Sequence, residues 1–141
     1  MPKIIYYFLL LFLLLTKLSL ATVIDKIEIE GNKRITKESI IIFGDIELKS
    51  DINVEDLDQI LKKLYKSNFF ENVSLKINNT TLIINVVENP IIQNVSIIGV
   101  PAKKIKEKIL EIVKLKNSSS FVKDYASKDF RLIKNFLKTL G

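Results

Sequence analysis

The 141-residue sequence contains no cysteine and no histidine. Without cysteine the chain has no disulfide framework, no thiolate metal ligand and no thiol nucleophile. Without histidine it lacks the commonest general base and the commonest transition-metal ligand. An enzyme built from this chain would need a positioned pair of carboxylates, and the sequence pattern does not place one. The sequence therefore predicts a protein that is not an enzyme and that binds no cofactor or metal.

A strong excess of charge of one sign is also lacking. The chain has 22 basic and 16 acidic residues, and the lysines are spread along helical patterns as on a solvated surface. Nucleic-acid binding would require a basic patch interleaved with stacking aromatic residues, and the sequence has none. Net charge therefore gives little indication of a partner, and a nucleic acid is not expected.

Long apolar runs are confined to the N-terminus. Residues 4–15 are apolar without interruption and follow Lys3. This run matches the core of a signal peptide and is shorter than the roughly 20 residues that span a bilayer. Small residues precede position 22, so residues 1–21 are predicted to be a signal peptide that is cleaved between Ala21 and Thr22. The alternative is an uncleaved membrane anchor.

Residues 22–89 are predicted to form a first domain with the order strand, helix, helix, strand, strand. Ile27 and Ile29 alternate with charged residues in the opening strand, so one of its faces is expected to be buried. Gly31 ends this strand, and Thr36 is expected to cap a short helix that ends at Gly44.

The second helix is predicted to begin at Asn53, after an irregular loop. Its apolar residues recur at helical spacing and should face one sheet; they are Leu57, Ile60, Leu61, Leu64 and Tyr65. A hairpin follows, because apolar residues alternate on both sides of the turn at residues 78–80. Ile83 and Val87 occupy the opposite face of the returning strand, which predicts a central strand that is partly covered on both faces.

Six acidic residues cluster around the start of the second helix, namely Asp45, Glu47, Asp51, Glu55, Asp56 and Asp58. Carboxylates are favoured near the positive end of a helix dipole, so this explanation is preferred to a metal site or a catalytic pair.

Pro90 marks a domain boundary, because proline has no backbone donor and restricts the residue before it. After it, Gln93–Gly99 repeats the opening strand at an offset of 68 positions, and two helical patterns follow. Residues 90–141 are predicted to be a second domain that lacks its last two strands. The chain is then expected to be a fragment of a longer protein; the alternative is that residues 90–141 are only loosely ordered.

Several of these segments resemble a known family. Residues 27–35 (IEIEGNKRI), residues 68–73 (NFFENV) and residues 84–90 are similar to the first polypeptide-transport-associated (POTRA) domain of outer-membrane assembly factors of the BamA family. The chain departs from the family pattern at Ser67-Asn68, where a glycine is common, and at Val100-Pro101-Ala102. The resemblance implies an α+β fold of β-α-α-β-β modules, in which two helices cover one face of a three-stranded mixed sheet.

The resemblance also implies a non-enzymatic function. Periplasmic repeats of this family bind unfolded outer-membrane proteins and accessory assembly lipoproteins, and they pass clients to a C-terminal barrel that this chain does not include. The expected location is the periplasmic face of the outer membrane. An alternative of another class is a membrane-anchored structural protein of the cell-division FtsQ type, which also carries a POTRA domain.

In this topology the strand from Phe70 to Ile77 lies at a sheet edge, where a client strand could pair with free backbone groups. The residues predicted to form this binding edge are Phe70, Val73, Leu75 and Ile77. The alternative is that Lys76 and Glu71 blunt the edge, which then binds nothing.

Overall fold

The structure is a computed structural model that describes residues 21–140. The predicted signal peptide lies outside the described residues, except for Ala21 at its end. Within residues 21–140, no helix combines the length and the apolar character needed to cross a membrane.

Strands and helices follow the predicted order in the first part of the chain, and two further helices follow in the second. In chain order the elements are β1 (Thr22–Val23), β2 (Lys26–Glu30), α1 (Lys37–Gly44), β3 (Asp51–Ile52), α2 (Val54–Lys66), β4 (Phe70–Asn78), β5 (Thr81–Glu88), α3 (Lys103–Ile112) and α4 (Lys123–Lys138).

The three longer strands form a mixed sheet in the order β2-β5-β4. β2 runs parallel to β5, and β4 runs antiparallel to it. The predicted β-α-α-β-β module with a three-stranded mixed sheet is therefore confirmed. β5 is the central strand, and β2 and β4 are the two edges.

The hydrophobic core lies between one face of this sheet and the two helices of the first module. Ile40, Leu64, Leu82 and Ile84 are fully buried in it. The other sheet face is open, and Val87 on this face is 50% exposed. The prediction that β5 is partly covered on both faces is confirmed at Ile83, which is half-buried, whereas Val87 is covered only to about half.

Local capping explains where the two helices of the module begin. The Thr36 hydroxyl accepts a hydrogen bond from the Ser39 N–H, as expected of an N-cap. Asn53 and Asp56 form a reciprocal capping box, in which each side chain accepts a hydrogen bond from the other residue's backbone N–H.

A small second sheet was not predicted. β1 pairs antiparallel with β3, in the segment expected to be an irregular loop; Ile52 in β3 and Ile24 directly after β1 are buried. Strands of two residues are too short to show an alternating pattern, so periodicity could not predict this pair.

The second part of the chain differs from the prediction in one element. α3 and α4 form where helical patterns were expected, but the strand predicted at Gln93–Gly99 is absent, and Ile98 is 89% exposed. Instead, Ile91 forms an isolated bridge with Ser120. A strand needs a hydrogen-bonding neighbour, and no described strand lies beside residues 93–99. The division of the chain at residue 90 into two domains stays a prediction.

Candidate functional site

The outer edge of β4 is the candidate functional site. β4 pairs with β5 on one side, and no described strand pairs with its other side. In an antiparallel pair both backbone groups of a residue point to the same side, and successive residues alternate. The Val73 N–H donates to the Tyr65 hydroxyl at 3.1 Å and therefore points away from β5. Leu75 and Ile77 lie two and four residues after Val73 on the same strand, so their N–H and C=O groups also face outward.

The side chains of the four residues predicted for this edge point into the core. Phe70 and Val73 are 3% and 5% exposed, and Leu75 and Ile77 are half-buried against the same core. The structure thus brings all four onto one strand, but a partner would meet their backbone groups and not their side chains.

The beginning of β4 is irregular. Its pairing with β5 shifts between Phe70 and Asn72, so Glu71 is the extra residue of a β-bulge. A bulge twists an edge and interrupts its hydrogen-bonding groups, which protects it against strand addition. The predicted blunting by Glu71 thus has a structural basis at this end of the strand, while Lys76 is exposed on the open face of the sheet.

Tyr65 contacts the edge in a way that the sequence did not reveal. Its hydroxyl accepts the Val73 N–H and lies 3.2 Å from the Asn72 Oδ1, to which it donates. The helical periodicity assigned Tyr65 to the apolar stripe that faces the sheet, but the residue is 40% exposed and does not belong to the core. Periodicity locates a side chain on a helix face; it does not locate a terminal hydroxyl.

A buried carboxylate anchors the module at the end of β5. The Glu88 Oε1 accepts hydrogen bonds from the backbone N–H groups of Lys33, Arg34 and Ile35, at 2.7, 2.9 and 2.9 Å. The Oε2 is buried and accepts no well-aligned hydrogen bond, although it lies 3.1 Å from the Arg34 Nε. Glu88 therefore ties the loop between β2 and α1 to the last strand.

The environment of Glu88 sets its protonation. Burial opposes ionisation and by itself raises the pKa, but the three backbone hydrogen bonds, led by the one from Ile35, and the charge of Arg34 outweigh it. The pKa of Glu88 therefore lies below its ordinary value of 4.5, and the side chain is a carboxylate at neutral pH.

Gly31 allows this loop to pass close to β5. Its φ is +83°, and a Cβ built at this position would lie 2.1 Å from the Val86 carbonyl oxygen. Only glycine fits such a close approach with a positive φ. The positive φ and the close contact with β5 are two independent reasons why a glycine ends the first strand.

A second hydrogen-bonded group joins the first module to the helices that follow. The Asn89 Nδ2 donates to the Asn68 carbonyl at 2.9 Å, and the Tyr125 hydroxyl donates to the Asn68 Oδ1 at 3.0 Å. The Arg34 Nη2 donates to the Asn89 carbonyl at 2.7 Å. Asn68 has a φ of +63°, a conformation that asparagine tolerates better than most residues. This explains how Asn68 replaces the glycine that is common at this position.

Some of the acidic residues around α2 have partners that explain their position. Asp45 lies 2.7 Å from the Lys63 Nζ, and the hydrogen bond from Lys63, with its charge, lowers the pKa of Asp45. Asp56 belongs to the capping box of α2. Among residues 21–140, no group of three or more acidic side chains could hold a metal ion.

Comparison with known proteins points to one family. No protein-family model matches the chain. The chain is 28% identical over 123 residues to the outer membrane protein assembly factor BamA of Neorickettsia risticii, covering 80% of this chain and 17% of that protein. It is 24% identical over 136 residues to BamA of Buchnera aphidicola, covering 95% of this chain and 22% of that protein.

Solved structures show the same fold. The N-terminal domain of Omp85 from Thermosynechococcus elongatus matches 84% of this chain, and 52% of its own length, with a TM-score of 0.58 at 16% identity. The POTRA1-2 segment of Omp85 from Anabaena matches 84% of this chain, and 80% of its own length, with a TM-score of 0.53 at 12% identity.

This chain is similar in sequence to BamA proteins, and it shares the fold of the POTRA region of Omp85. The resemblance seen in the sequence is therefore confirmed, as is the POTRA fold of the first module. The chain spans about a fifth of the length of the curated BamA relatives it matches. Within the POTRA module, Gly31 and Glu88 tie the loop before α1 to β5, and the outer edge of β4 presents backbone groups that no described strand pairs with.

Proposed function

We propose that this chain is the periplasmic POTRA region of an outer-membrane β-barrel assembly factor. It binds unfolded outer-membrane proteins by strand addition to β4, interacts with accessory assembly lipoproteins, and passes clients to a C-terminal barrel that the 141 residues do not include. The function is binding and transfer, without chemical catalysis. The similarity to BamA favours this function over that of a cell-division protein of the FtsQ type.

The observation that carries the proposal is the orientation of the β4 backbone. Leu75 and Ile77 present outward N–H and C=O groups, and among the described residues no side chain donates to or accepts from them. An extended client could form about four backbone hydrogen bonds there. At roughly 1 kcal/mol each, these bonds correspond to a dissociation constant near the millimolar range. Weak binding that depends on backbone groups tolerates many client sequences and permits release.

Export to the periplasm belongs to the same proposal. A signal peptide over residues 1–21 would deliver the chain, and cleavage between Ala21 and Thr22 would leave Thr22 as the first residue. The uninterrupted apolar run at residues 4–15 and the small residues before position 22 support this part of the proposal.

Amide hydrogen exchange on residues 22–141, with and without an extended peptide, tests the client site. The outward amides of Leu75 and Ile77 should exchange rapidly in the free protein and become protected when the peptide binds. The amides of Ser74 and Lys76 point toward β5 and serve as internal controls, because they are protected in both states. Protection that appears along β2 would assign the client to the other edge, and no protection on either edge would reject strand addition.

A further inference from the structure

We propose that the Tyr65 hydroxyl closes the first part of the β4 edge and confines an added strand to residues 75–78. This inference rests on the proposed function, since it specifies which part of the edge receives the client. Val73 is the first outward-facing residue after the bulge, and its N–H is already bonded to Tyr65 at 3.1 Å. A client strand reaching Val73 would have to displace this hydroxyl.

Tyr65 is held in place at two points. Its ring extends from the last turn of α2, and its hydroxyl donates to the Asn72 Oδ1 at 3.2 Å while accepting the Val73 N–H. Displacement therefore breaks two hydrogen bonds, as many as a client could form with the N–H and C=O groups of Val73. Because hydrogen bonds contribute similar amounts to stability, pairing with Val73 brings a client no net gain while Tyr65 is present.

The region before Val73 is interrupted by the β-bulge at Glu71. A bulge breaks the regular spacing of the outward backbone groups, so an added strand does not continue past it in register. The receptive segment thus begins at Leu75.

The side chains next to this segment indicate the client chemistry. Successive side chains of an added strand would alternate between the two sheet faces. Those on the helix side would extend the apolar layer beside Leu75 and Ile77, which are half-buried. Those on the open side would lie beside the exposed Lys76 ammonium group. The favoured client is therefore a short extended segment in which apolar residues alternate with acidic or polar residues.

The variant Tyr65→Phe tests the closure, because it removes the hydroxyl and keeps the ring. In the free protein, the Val73 amide should exchange at least several-fold faster in Tyr65→Phe than in the parent. A capped peptide of about eight residues, alternating valine with threonine and glutamate, should protect Leu75 and Ile77 in both proteins. It should protect Val73 further only in the variant, and it should bind the variant at least about fivefold more tightly, because each hydrogen bond added at Val73 contributes roughly 1 kcal/mol.

Tyr125→Phe is the matched control, since it also removes one tyrosine hydroxyl but leaves the β4 edge unchanged. It should leave the peptide affinity and the Val73 exchange rate at the parent values. Equal Val73 exchange in the parent and Tyr65→Phe, or equal affinity and equal peptide protection, would overturn the inference. If the peptide protects neither protein at Leu75 and Ile77, strand addition fails, while the Val73 exchange rate of the free proteins still decides whether the hydroxyl closes the edge.

Discussion

The Glu88 carboxylate accepts a 2.9 Å hydrogen bond from the backbone N–H of Ile35, 53 residues earlier in the chain. This contact joins the end of the POTRA module to its beginning, because Ile35 precedes α1 and Glu88 ends β5. Two neighbouring N–H groups bond to the same oxygen. A hydrogen bond to a charged acceptor is about twice as strong as one between neutral groups, so this carboxylate is a main stabilising contact outside the apolar core.

Replacing Glu88 by glutamine should lower the free energy of unfolding by about 1–3 kcal/mol, because neutral amide oxygen is a weaker acceptor and the amide NH₂ faces Arg34. Urea unfolding at pH 7 measures the change. Glu71→Gln, at the exposed bulge, is the control and should be close to the parent. A Glu88→Gln protein as stable as the parent would show that the three hydrogen bonds do not depend on charge.

The stability of the parent and of Glu88→Gln should respond differently to acid. The pKa of Glu88 is lowered in the folded state, so its stabilisation is present above the ordinary value of 4.5 and is lost as the pH falls through the lower, folded-state value. The stability difference between the parent and Glu88→Gln should therefore be constant from neutral pH down to about 5 and shrink below it. Urea midpoints for both proteins across this range check the prediction; a difference that grows on acidification would contradict it.

Two glycines with similar φ values should respond differently to alanine. Gly31→Ala adds a Cβ at 2.1 Å from the Val86 carbonyl oxygen, whereas the Cβ of Gly99→Ala meets no atom within 4 Å. Gly99→Ala should therefore cost only about 1–2 kcal/mol for the positive φ. Gly31→Ala should cost clearly more than this, or prevent folding. Thermal unfolding compares the two, and equal losses would mean that the loop moves away from β5 at little cost.

Asn68 offers a test of the junction. Asn68→Gly adopts the positive φ more easily but loses the hydrogen bond to Tyr125. These two effects oppose each other, so the free energy of unfolding should stay within about 1 kcal/mol of the parent. Asn68→Ala loses the same bond and places alanine at a φ of +63°, so it should be less stable than the glycine variant by about 1–2 kcal/mol. Urea unfolding ranks the two variants. The reverse order would show that the positive φ at residue 68 does not disfavour alanine relative to glycine.

Amide exchange over residues 22–141 tests the predicted division of the chain. β5 and the β4 amides that point toward it should be protected, because these strands form the longest ladder, and residues 93–99 should exchange rapidly, because no described strand pairs with them. α3 and α4 should exchange faster than α2, since within residues 21–140 they pack on no sheet. Equal protection of both parts would show that residues 90–141 gain a hydrogen-bonding partner in solution.

The sequence was sufficient to predict the module because its main elements have local signals. Ile27 and Ile29 alternate with charged residues, which predicts a strand, and Asn53 with Asp56 marks the start of a helix. The order of the elements along the chain could therefore be predicted. The contacts that organise the site have no such signal. The Tyr65 hydroxyl and the Glu88 carboxylate bond to residues distant in the chain or on another element, and periodicity carries no information about such tertiary hydrogen bonds.

The strand predicted at Gln93–Gly99 failed for a related reason. Val95 and Ile97 have the right alternation, but a strand forms only where neighbours complete its hydrogen bonds, and alternation describes one strand alone. The four residues predicted for the binding edge were placed on the right strand. The sequence could not predict which of their backbone groups face outward; the hydrogen bond from the Val73 N–H to Tyr65 shows this direction.

The bond between Glu88 and the loop before α1 also has an evolutionary consequence. Side chains on a strand alternate between faces, so one residue inserted between Val86 and Glu88 would turn the carboxylate to the opposite side of the sheet. One residue deleted between Gly31 and Ile35 would remove an N–H that the carboxylate needs. Related chains should therefore vary in length at the hairpin turn and in the loop before β3, while the spacing from Val86 to Glu88 and from Gly31 to Ile35 stays constant.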